Sequence, residues 1–196
     1  MSPPSESTRA PAAAGAAAEY SSEERRTLLA LAHRSIEIGL AGLRIDLTPP
    51  SEHLAQPRGA FTTLHLFDKL RGCIGYVLPV GSLYQTVAET ARAAAFDDPR
   101  FPPVIEEEAF ALKIEISVLS APLPIRAQEV VIGKHGLIVT GGSRRGLLLP
   151  QVPIEWDWDR ETFLAQTCLK AGLAPDAWLH GAELQAFTAE VFGEEE

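Results

Sequence analysis

Two runs, Ala60-Phe61-Thr62-Thr63-Leu64-His65-Leu66-Phe67 and Leu70-Arg71-Gly72-Cys73-Ile74-Gly75-Tyr76-Val77, stand on either side of Asp68-Lys69. Two such runs separated by a two-residue polar break predict an antiparallel hairpin. Side chains alternate along a strand, so this reading places Arg71 and Cys73 on one face of the second strand.

Further along, residues 111–119 set Leu112, Ile114, Ile116 and Val118 against Lys113, Glu115 and Ser117, the period of a strand with one buried face. Upstream, Ser21-Ser22-Glu23-Glu24 matches a capping box, and Leu29, Ala32, Ile36, Leu40 and Leu43 recur on one helical face. A helix from there to about Gly42 follows, then an extended stretch through Pro49, Pro50 and Pro57. Ser82-Leu83-Tyr84-Gln85 opens a second helix carrying Leu83, Val87, Ala91 and Ala94 on one face. It ends near Phe96, because Asp97-Asp98-Pro99-Arg100-Phe101 cannot continue it.

The distal half predicts a turn at Gly133-Lys134-His135-Gly136, a strand over 137–140 and a hairpin through Gly141-Gly142-Ser143-Arg144-Arg145-Gly146. A third helix starts at Asp159, buries Phe163, Leu164, Cys168 and Ala171, and stops at Gly172. One last strand falls within 183–192. Hairpins outnumber helical crossovers, so the fold class is α+β: a mostly antiparallel sheet flanked by helices.

The chain's 196 residues suit one domain, or one domain with a smaller lobe. Residues 1–20 read as a disordered tail without the features of a signal peptide, and residues 21–196 as a single domain. The net charge of −9 and pI near 5.1 disfavour a nucleic-acid partner. No apolar run approaches the roughly 18 residues of a membrane helix. Cys73 and Cys168 form no disulfide framework, so a reduced cytoplasm is the expected compartment.

Cys73 is the leading chemical candidate. A guanidinium beside a thiol favours the thiolate, and Gly72 and Gly75 leave room for a ligand or another backbone. The plainer reading is a small buried residue beside a bulge. His135, in its glycine-flanked turn, is either a base or a solvated loop histidine. Asp98 and Arg100 orient a substrate or brace their own loop; Glu115 is an acid–base group or a solvated strand residue. Arg144 and Arg145 hold an anion or tip a soluble hairpin. Cys168 is read as core. No Walker loop, dinucleotide fingerprint, HExxH or paired Cys-x-x-Cys occurs, and His33, His53, His65 and His180 lack ligand spacing, so neither metal nor cofactor is expected.

Taken in order, several segments resemble the AMMECR domain family, including the system protein A members of AmmeMemoRadiSam gene sets. They are Gly59 to Leu64, Leu70 to Gly75, Ala94 to Phe101, Ile114 to Leu119, Gly133 to Gly136, Leu149-Pro150-Gln151-Val152-Pro153 and Lys170 to Leu173. The resemblance spans about residues 21 to 192. It implies an α+β unit with a larger and a smaller lobe. It also implies that Cys73, Arg71, Asp98, Arg100, Glu115, His135 and Gln151 gather at one site, with a Memo-like protein and a radical SAM protein as partners. Two functions follow as expectations. One is a cysteine-dependent enzyme or enzyme component, with Cys73 activated by Arg71 and His135 as base; the other is a non-catalytic adaptor. The turn over Leu66-Phe67-Asp68-Lys69 departs from the family pattern in lacking glycine.

Overall fold

The computed structural model describes residues 18–194. The tail expected over 1–20 lies outside the described residues as far as residue 17. In chain order the elements are α1 (Ser22–Leu40), β1 (Ala60–Leu66), β2 (Lys69–Tyr76), α2 (Leu83–Phe96), α3 (Glu106–Ala109), β3 (Leu112–Leu119) and β4 (Leu123–Pro124). They continue with β5 (Gly136–Gly141), β6 (Arg144–Leu148), α4 (Val152–Glu155), α5 (Arg160–Lys170), β7 (Glu183–Phe187) and β8 (Ala189–Gly193). Two compact units result, residues 18–119 with 190–194, and Ser120–Ala189. Each has its own antiparallel sheet, ordered β2-β1-β3-β8 in the first and β4-β7-β5-β6 in the second. The expected α+β class, with antiparallel pairing and a larger and a smaller part, is what the structure has, but the one sheet expected is two.

In the first unit α1 begins at the anticipated capping box, with Ser21 accepting from the Glu24 N–H. Its buried stripe is Leu28, Leu31, Ala32, Ser35 and Ile36 rather than the face through Leu29 and Leu43. Ser35 conceals the stripe in sequence. Its hydroxyl is buried yet satisfied, donating to the Ala88 carbonyl at 2.7 Å. Leu43 lies beyond the helix, 69% exposed. Helix α2 buries Leu83, Val87, Ala91 and Ala94 as anticipated. The core between these helices and the sheet includes Leu64, Ile114 and Ile116, each worth about 2 kcal/mol when removed from water. A further polar contact is buried there, Thr62 Oγ1 against Thr90 Oγ1 at 2.8 Å.

The β1–β2 turn falls at Phe67-Asp68, one residue earlier than expected, since Leu66 pairs with Lys69. Both turn residues have positive φ, 50° and 61°, the geometry that matches strand twist in a two-residue hairpin. Strand β2 is not regular. Leu64 faces Gly72 and His65 faces Leu70, which leaves Arg71 as the extra residue of a bulge.

In the second unit α5 starts at Asp159, whose carboxylate accepts from the Thr162 N–H, and Gly172 takes a left-handed conformation after its end. Phe163 and Leu164 pack with Val130, Leu137 and Ala186. The single strand expected within 183–192 is two, β7 and β8, which join different sheets.

An L residue at positive φ is strained, and Phe67 gains nothing by burial, being 80% exposed. Replacing the pair together, Phe67→Asn with Asp68→Gly, is expected to raise unfolding stability by about 1 kcal/mol in urea titration. A loss of stability would contradict the turn geometry.

Candidate functional site

Cys73 sits on β2, an edge strand of its sheet. Residues of an antiparallel pair alternately direct their N–H and C=O toward the partner strand and away from it. Cys73 directs them away. Its N–H donates to Asp98 Oδ2 at 2.9 Å, and its carbonyl accepts from Arg100 Nη2 at 3.3 Å. Asp98 and Arg100 therefore stand where a further strand would, one supplying the acceptor and the other the donor.

The two are bound to each other. Arg100 donates from Nε to Asp98 Oδ1 at 3.0 Å and from Nη2 to Oδ2 at 2.7 Å, a bidentate pair. The Asp98 side chain is buried, whereas that of Arg100 is 54% exposed. The Arg100 guanidinium, helped by the N–H groups of Cys73 and Arg100, holds the Asp98 carboxyl well below the usual carboxylate range despite its burial. Bracing, one of the two roles considered for this loop, is what these bonds do.

Gly72 explains how the loop reaches β2. A Cβ at Gly72 would run into the Ala94 carbonyl oxygen, so glycine lets the last turns of α2 lie against the strand. The chain then leaves α2 at Phe96 and delivers Asp98 beside the strand edge. Gly75 likewise has no room for a Cβ, because the Phe61 ring covers it.

Because its backbone groups point outward, Cys73 forms a non-hydrogen-bonded pair with Thr63, the closer of the two pair types. The Thr63 hydroxyl donates to Cys73 Sγ at 3.3 Å. Thr63 is in turn opposite Glu115 on β3. Cys73, Thr63 and Glu115 thus form one row across three strands. Thr63 was not anticipated: a bulge-free count from the turn sets Thr63 against Gly72, and only the extra residue at Arg71 moves Cys73 opposite it.

Arg71 is placed differently from the expectation. Its Nε and Nη2 donate to Glu108 Oε1 and Oε2 at 3.1 and 2.8 Å, and the side chain is buried. Its charge is taken up by Glu108, whose carboxyl it pulls below the usual range. The guanidinium that bonds the Cys73 residue belongs to Arg100.

His135 and Gln151 belong to the second unit. His135 Nδ1 accepts from the Val131 N–H at 3.1 Å, a brace within its own turn, and burial with nearby Lys134 pushes the imidazole below its ordinary value. Gln151 is exposed ahead of α4. Arg144 donates to the Gly172 carbonyl at 2.7 Å, capping the end of α5. Cys168 is fully buried in α5, and burial pushes its thiol up. A hollow of about 520 Å³ in the second unit, lined by Ile125, Arg126, Arg160, Leu164, Trp178 and Leu184, contains none of the predicted site residues. Among the described residues no cluster of His, Cys, Asp or Glu is placed to hold a metal ion, and no helix is long and apolar enough to cross a membrane.

Comparison with known proteins adds relatives to this geometry. A family model described as AMMECR1 matches residues 29–192. A protein of Methanopyrus kandleri is 45% identical over 186 residues, covering 89% of this chain and 90% of its own. One of Methanocaldococcus jannaschii is 44% identical over 184 residues, covering 89% and 92%. The crystal structure of an uncharacterized protein from Pyrococcus horikoshii is similar with a TM-score of 0.70 at 44% identity, covering 86% of this chain and 90% of that one.

The depressed His135 imidazole has a consequence for stability. Between its folded value and the ordinary 6.5 the unfolded chain binds more protons, so this contribution is present above about pH 6.5 and lost as pH falls below it. The stability difference between the parent and His135→Asn is expected to shrink from about pH 7.5 to about pH 5.5 in urea titrations. A constant or widening difference would count against the burial that holds the His135 imidazole below its ordinary value.

Proposed function

This chain belongs to the AMMECR1 family, and on that footing we propose that it is a cysteine-dependent enzyme, or enzyme component, with Cys73 as its nucleophile. The observation that carries the reading is the hydrogen bond donated by the Thr63 hydroxyl to Cys73 Sγ. A donor on sulfur stabilises the thiolate, the nucleophilic form. Thr63 does so from within a sheet, where it cannot drift. Glu115, on the same row, serves as the acid–base group in place of His135, whose Nδ1 is already engaged. Arg100 presents an exposed guanidinium beside the thiol's backbone, suited to a small anionic or peptide substrate.

The second reading is a non-catalytic adaptor that binds a partner protein at the same place. The half-exposed Arg100 on a strand edge favours it. On either reading the proposed partners are a Memo-like protein and a radical SAM protein. Cys73→Ser separates the two: an enzyme loses function with fold and partner binding intact, whereas an adaptor keeps it.

Cys168 is fully buried, so alkylation of the native protein reports on Cys73. With iodoacetamide near pH 7, Cys73 is expected to react about tenfold faster than cysteine in the unfolded chain, and Thr63→Val to remove most of that advantage. Native and unfolded rates that coincide, or a rate indifferent to Thr63→Val, would overturn the nucleophile reading.

A further inference from the structure

The edge of β2 is closed at Cys73 and open at Gly75. By the alternation of an antiparallel pair, Gly75 also directs its N–H and C=O away from β1. Cys73 has Asp98 and Arg100 on that side; among the described residues Gly75 has no hydrogen-bond partner there. Phe61 and the Ala60 carbonyl cover the face of Gly75 where a Cβ would stand. Leu78 and Val80, in the bend after β2 ends at Tyr76, are 46% and 64% exposed.

We propose that this edge binds the C-terminal end of an extended peptide, antiparallel to β2, with its terminal carboxylate on Arg100. Direction follows from charge. A strand added antiparallel to β2 runs from Gly75 toward Cys73, so its C-terminus arrives at the Asp98–Arg100 plug. Asp98 is buried beneath Arg100, and the exposed group at that end is the guanidinium. Arg100 uses Nε and Nη2 on Asp98 and Cys73, while Nη1 makes no hydrogen bond among the described residues. A parallel strand would instead bring an ammonium to the same cation. One residue pairs with Gly75 through both backbone groups, and the carboxylate lies a strand step or two farther on, at roughly 3.4 Å per residue. Backbone pairing supplies affinity and the carboxylate fixes the register, a recognised mode of peptide capture. This names the substrate class, or the partner segment, for the site already proposed. It rests on that placement of the site but not on the thiol's chemistry.

The test is a selection on the full chain from a library of short random peptides displayed with free C-termini. The enriched peptides are then synthesised as acids, as C-terminal amides, and with single N-methyl groups. Amidation is expected to weaken binding about tenfold or more, as is Arg100→Gln. N-methylation should abolish binding at the one amide that meets the Gly75 carbonyl. The Gly75 amide should exchange with solvent about tenfold more slowly when peptide is saturating. Cys73→Ser should bind the same peptides, so failure here is separable from failure of the nucleophile reading. Enrichment of nothing, acids and amides binding equally, or an unchanged Gly75 amide would overturn the proposal. So would Gly75 protection that rises with protein concentration alone, which would assign the edge to a second copy.

Discussion

The backbone N–H and carbonyl of Cys73 are held from outside their sheet by one ion pair. An edge strand exposes a row of unpaired backbone groups, and proteins close such edges with charges, bulges or covering loops. Here a carboxylate accepts the Cys73 N–H and its own arginine partner donates to the Cys73 carbonyl. Burying Asp98 alone would be costly; the bidentate Arg100 contact and two backbone donors offset that cost. The effect is that two side chains of one loop, Asp98 and Arg100, stand in for a missing strand.

The geometry of the thiol follows from that constraint. Once its backbone groups point outward, Cys73 must form the closer kind of cross-strand pair with Thr63, and the hydroxyl then reaches the sulfur. Helix α2 carries the same dependence back into the core. Its close approach at Gly72 and the buried Thr62–Thr90 contact hold the helix against the sheet, and so place Asp98 beside the strand. The Val104 N–H, donating to the Ala95 carbonyl, ties down the far side of the loop.

Much of this frame was legible in the residues. The alternation through Leu112, Ile114, Ile116 and Val118 is strong, the capping boxes at Ser21 and Ser82 are local, and Asp159 and Gly172 bracket α5 as helix chemistry requires. What escaped reading has a common cause, a local departure from periodicity. The bulge at Arg71 inserts a residue into an otherwise plain hairpin, shifts the register by one and thereby hides Thr63. Ser35 interrupts an apolar stripe with a hydroxyl that only the Ala88 carbonyl makes affordable in a core. The short helix α3, which supplies Glu108 to Arg71, is too brief to announce itself by period. The face-sharing of Arg71 and Cys73 assumed a regular strand, and β2 is not one.

Hydrogen exchange at the Cys73 amide tests the central claim most directly, because no strand protects it. In the parent protein that amide should be protected, and Asp98→Ala should bring it to near-unprotected exchange while the neighbouring Ile74 amide, which faces Thr62, stays slow. A Cys73 amide that exchanges equally slowly in both proteins would contradict the account.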